Sequence, residues 1–131
     1  MALSTLQTTD VSQALAELID GVPNLRTYWY VSDAVRPPAA VISQPTIDYT
    51  DSGSGFCYAA WLFPVTVIVA RNNDRDAQLA LSQLLFDITH ALTAADVPGV
   101  FSIEPQDARP VPVQVGSQES PGYLLNVRVR A

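Results

Sequence analysis

Lysine is absent, and cysteine, histidine and methionine each occur once in the 131 residues. The lone Cys57 has no partner for an internal disulfide and supplies no pair for a zinc site. Only 15% of the residues are charged, and the seven Arg are scattered among 13 Asp and Glu, for a formal charge of −6. Proteins that grip phosphate backbones cluster Lys and Arg on one surface, so this balance excludes a generic nucleic-acid binder. The longest apolar run, Ala59 to Ala70, contains Pro64 and Thr66 and falls far short of the ~20 residues of a membrane helix. The start, Met1 to Gln7, has neither a basic n-region nor a long apolar h-region, which leads us to expect a soluble chain made in the cytoplasm. Internal repeats and low-complexity tracts are missing too.

What is present is apolar. At 48% hydrophobic residues, a chain of this length suits one core, expected over residues 10–131 behind a flexible N-terminus of residues 1–9. Asp10 or Thr9 caps a helix with Val11, Ala14, Leu15, Leu18 and Ile19 on one face, and Gly21 and Pro23 stop it. Leu25 to Val31 reads as a strand, Asp33 to Pro38 as a loop, and Ala39 to Asp48 as a second strand with Pro45 marking an edge or bulge. Tyr49 to Phe56, polar and glycine-rich, predicts a flexible hairpin tip leading into a long strand from Tyr58 to Arg71. That strand has an apolar odd face (Ala59, Trp61, Phe63, Val65, Val67, Val69) and a mixed even face. Asn73 or Asp74 caps a helix from Arg75 to about Leu92, its stripe formed by Ala77, Leu81, Leu84, Leu85, Ile88 and Leu92. After a Pro98-Gly99 turn, three short extended segments follow: Val100 to Glu104, Val111 to Val115, and Tyr123 to Arg130, with Gly116 to Gly122 as a turn.

The order α-β-β-β-α-β-β argues for an α+β domain, a mixed, largely antiparallel sheet of four to six strands with both helices on one face. The opposite face would then expose Tyr58, Leu62 and Ile68 beside Thr66, Leu124, Asn126 and Arg128, more apolar surface than a monomer needs. Another subunit is expected to cover it. The candidate oligomer or tube interface is Asp48, Tyr49, Asp51, Phe56, Tyr58, Leu62, Ile68 and Arg128.

Catalytic patterns are scarce. His90 sits near a helix end, where a cation suits the dipole, with no Ser, Cys or carboxylate at triad spacing. Cys57 lacks a neighbouring base and reads as a small apolar filler. Asn72-x-Asp74-x-Asp76 imitates a calcium loop, but Ala77 stands where Gly is required and Gln83 where the bidentate Glu belongs. Asp48 and Asp51 lie at a polar tip with no apolar surroundings to raise a carboxyl pKa. GxGxxG, Walker-type and GxSxG motifs are missing, and the aromatics Tyr28, Trp29, Tyr30, Tyr58 and Trp61 come without the basic groove of a stacking platform. No cofactor, metal or catalytic residue is expected. A small ligand-binding or enzymatic domain using His90, Cys57 or Asp48 is the alternative from a different class.

The run Pro23-Asn24-Leu25-Arg26-Thr27-Tyr28 leading to Pro37-Pro38-Ala39-Ala40-Val41-Ile42, then Phe63 to Arg71 running into Asp74-Arg75-Asp76-Ala77-Gln78, resembles the tail terminator proteins of long-tailed phages. The variants from phages of actinobacteria are the most similar, and the likeness spans roughly residues 10 to 131. Members of that family break the second helix with a Ser/Pro/Gly stretch, whereas Leu79 to Leu92 here runs unbroken. The resemblance implies a lambda-type tail terminator fold and a homo-oligomeric ring in the virion neck, commonly a hexamer. That ring would cap the tail tube, halt its polymerisation and dock the filled head through a head-completion or stopper protein. It also implies that genomic DNA passes the lumen, which the acidic charge would keep from sticking. A stopper or another head-tail connector is the alternative within the structural class.

Overall fold

Helix α1 (Thr8–Asp20) begins two or three residues before the start expected from a Thr9 or Asp10 cap, because Gln7 is its N-cap. The Gln7 N–H donates to Asp10 Oδ2 at 2.9 Å, so Asp10 secures the helix from its third position and is not itself the cap. Thr8 and Thr9, expected in the N-terminal tail, are therefore helical. At the other end the Val22 N–H donates to the Ile19 carbonyl at 2.9 Å, and Gly21 caps in an ordinary right-handed conformation. The computed structural model describes residues 7–23, 25–30, 35–48, 60–70, 74–94, 102–115 and 118–130.

Among the described residues six strands form one sheet: β1 (Arg26–Tyr28), β2 (Ala39–Ile42), β3 (Thr46–Asp48), β4 (Ala60–Ile68), β5 (Ser102–Val115) and β6 (Gln118–Arg130). They lie in the order β1-β2-β4-β6-β5, with β3 also pairing on β4. Of the described strand pairs only β1–β2 is parallel. The second strand expected from Ala39 to Asp48 is two strands on one partner, interrupted at Ser43 to Pro45, since proline cannot donate to a ladder. The strand expected over Leu25 to Val31 ends at Tyr28, and Trp29 and Tyr30 turn out into solvent with their rings edge to face, centroids 5.1 Å apart.

The C-terminal region differs most from expectation. Ser102 to Glu104 of the first expected segment and Val111 to Val115 belong to one strand of 14 residues, Val100 and Phe101 lying outside the described residues, and β6 takes in Gln118 to Gly122, which reads as turn. Pro105, Pro110 and Pro112 are compatible with β5 because it is the sheet's edge, where an outward-facing position needs no N–H. A register shift between Pro105 and Asp107 absorbs one extra residue.

Helix α2 (Asp74–Thr93) lies beside α1 on a single face of the sheet. Val11, Leu15 and Ile19 of α1 and Ala77, Leu81, Ile88 and Leu92 of α2 share one core cluster with Trp61, Phe63, Val65 and Val67 of β4. Leu125, Val127 and Val129 of β6 complete it, and Phe63 is its largest fully buried side chain. The odd face of β4 is core as the alternation requires. The fold is thus α+β, with two helices on one side of a mixed, mostly antiparallel sheet.

Candidate assembly interface

Register alone decides which side chains share the face turned away from the helices, since residues directly opposite on paired strands point the same way. One rung joins Asp48, Ala60, Arg130 and Ser102 across β3, β4, β6 and β5. The next joins Thr46, Leu62, Arg128 and Glu104, and beyond it Pro64 lies opposite Asn126. Asn126 Nδ2 donates to Asp107 Oδ1 at 2.7 Å, tying β6 to β5 just past the register shift. A further rung runs Val41, Thr66, Leu124 and Arg109, and the last runs Ala39, Ile68, Gly122 and Val111.

Three of the expected interface residues come together on this face: Leu62 lies directly opposite Arg128, and Asp48 is one rung away. Leu62, Pro64, Thr66, Leu124 and Arg128 are half-buried, and no helix among the described residues lies over them. Ile68 corrects the expectation, being 2% exposed. It sits on the central strand beside Ala39 (0%) and near Val41 (7%), a closed corner, so strand alternation assigned its face correctly and its exposure wrongly. Tyr49, Asp51, Phe56 and Tyr58, with Cys57, lie outside the described residues.

The two sides of the molecule differ in charge. Among the described residues the helices carry Asp10, Glu17, Asp20, Asp76 and Asp87 against Arg75. The opposite sheet face carries Arg26, Arg109, Arg128 and Arg130 against Asp48, Glu104 and Asp107. Acidic helices therefore back a sheet face with a slight excess of guanidinium groups.

Two residues that sequence reasoning passed over are Leu79 and Phe86, 59% and 66% exposed on the outer side of α2. Their separation of seven residues puts them on one line, opposite the buried Ala77, Leu81 and Ile88. The signal was available: a helix with a complete apolar stripe that still carries two large apolar residues on its other side is using both. Phe86 stacks flat against His90, with ring centroids 6.2 Å apart and planes 6° from parallel. His90 is exposed, so its visible contact is with an aromatic ring at a helix surface.

A groove of about 440 Å³ opens between α2 and the Pro23 and Pro38 segments, floored by Val69, Ala77 and Leu84. Asp76 and Asp87 stand on its lining, and Gln83 Nε2 donates to Asp87 Oδ1 at 3.0 Å. Among the described residues no group of three or more His, Cys, Asp or Glu is placed to hold a metal ion, and no helix is long and apolar enough to cross a membrane. Comparison of the sequence with protein-family models and with curated proteins gives no match.

Proposed function

We propose that this chain is a structural virion protein, the subunit of a ring that ends the tail tube of a long-tailed phage and joins it to the head. The observation that carries the reading is the one-sided layering: both helices pack on one face of the sheet, and among the described residues no helix lies over the half-buried Leu62, Pro64, Thr66 and Leu124. Copies of the same chain supply the missing layer. A standard interface removes about 800 Å² per partner, roughly a tenth of the 7835 Å² surface here. The tail-terminator resemblance of residues 10–131 supports a position between tail tube and head. On this reading the partners are the chain itself, the tail tube protein and a head-completion protein, and no chemistry is performed.

The test is electron microscopy of the purified chain, alone and mixed with tail tube protein. Rings alone, and tubes of limited length that end in those rings, are the expected result. Rings that bind heads and leave tube growth unchanged would assign the stopper role instead. A monomer at every concentration, with tubes growing unchecked, would overturn the reading.

A further inference from the structure

We infer that the outward stripe of α2 in one copy packs onto the open sheet face of the next copy, Leu79 and Phe86 lying over Leu62, Pro64, Thr66 and Leu124. The inference rests on the ring reading and deepens it by naming the two surfaces that meet. Among the described residues Leu79 and Phe86 are the two most exposed large hydrophobics, and nothing described covers them. Seven helical residues span about 10.5 Å, close to the roughly 13 Å from Leu62 to Thr66 along β4, so the two apolar stripes have similar lengths.

Charge selects the same pairing. Among the described side chains α2 presents Asp76 and Asp87 against Arg75, and the sheet face four guanidinium groups against three carboxylates, so joining unlike faces brings opposite net charges together. Pairing like with like does not. An antiparallel α2–α2 contact centred on Leu79 and Phe86 would set Asp76 of one copy and Asp87 of the other on the same flank, within about one helical turn. Two carboxylates so placed repel. A contact between two different faces is also heterologous, so every copy keeps one face for each neighbour, and the series closes when the rotation per copy allows.

Cross-linking tests it, in a Cys57→Ala background that leaves no native thiol. Phe86→Cys protein is mixed in turn with Leu62→Cys and with Leu124→Cys protein, then oxidised mildly and run on a denaturing gel without reductant. At least one mixture is expected to give a dimer band about tenfold stronger than either variant gives alone. Rings with no such excess in either mixture would overturn the inference and leave the ring reading standing. A chain that is monomeric throughout would overturn both. The double substitution Leu79→Glu/Phe86→Glu changes only exposed positions, so its far-ultraviolet circular dichroism is expected to match the parent while the ring dissociates. Retention of the ring by that variant would likewise overturn the inference.

Discussion

Gly122 passes so close to Val67 that a methyl group on its Cα would stand 2.7 Å from the Val67 carbonyl oxygen. The same methyl would meet Val113 Cγ2 at 2.9 Å, so it would be caught between β4 and β5. One obstacle is backbone in the middle of the sheet and cannot swing aside. Gly122→Ala is therefore expected to destabilise the fold by about 2 kcal/mol, as overpacking of a core does. For a chain of this size that lowers Tm by about 7 °C, readable by calorimetry. An unchanged Tm would show that β6 does not run this close to its neighbours.

Two phenylalanines on opposite sides of the helix layer should behave in opposite ways. Phe63 is fully buried between sheet and helices, and Phe63→Ala is expected to cost about 3–5 kcal/mol in urea unfolding. Phe86 is 66% exposed, and Phe86→Ala should change the stability of the isolated subunit by about 0.5 kcal/mol or less. If the chain assembles as proposed, its effect should appear there, as a higher concentration needed for the ring. A large loss of subunit stability in Phe86→Ala would mean that the ring is packed inside the subunit.

The Gln7–Asp10 bond predicts a smaller effect. Asp10 accepts from an otherwise unpaired N–H and places a carboxylate in the first turn of α1, where the helix dipole favours it. Asp10→Ala is expected to cost about 1 kcal/mol, and Asp10→Asn, which keeps the acceptor and loses the charge, less. Equal losses in the two variants would locate the whole effect in the charge. Chemical unfolding followed by circular dichroism measures both.

Strong periodicity made α1, α2 and β4 legible in the sequence. Leu15 and Ile19, Leu81 and Ile88, and Phe63 and Val65 fall where the helical and strand repeats place them, and all are buried. Pro45 reads as an edge or bulge within one strand, whereas the structure has a break there that separates β2 from β3. The long β5 was not legible for a related reason. A proline inside a strand lacks a donor, and the strand order, which puts β5 at the edge, makes Pro105, Pro110 and Pro112 harmless. The candidate interface was legible in part: alternation put Leu62 and Arg128 on one face, and register makes them direct neighbours. The outward Leu79 and Phe86 escaped because attention to one apolar stripe hides a second on the same helix.

Leu62 and Ile68 lie on the same face of β4, and the sequence treats them alike. The structure separates them: Ile68 is 2% exposed beside Ala39, and Leu62 is half-buried opposite Arg128. Removing most of a buried aliphatic side chain leaves a cavity, so Ile68→Ala is expected to destabilise the subunit by about 3 kcal/mol. Leu62→Ala removes partly wet surface and should cost about 1 kcal/mol or less within the subunit. If neighbouring copies cover this face, the order reverses in assembly. Leu62→Ala then weakens the ring at temperatures where the subunit is folded, and Ile68→Ala weakens it only as far as the subunit unfolds. Urea unfolding of the subunit and sedimentation of the ring, run on both variants, separate the two effects. A Leu62→Ala protein that assembles like the parent would remove the open sheet face from the contact.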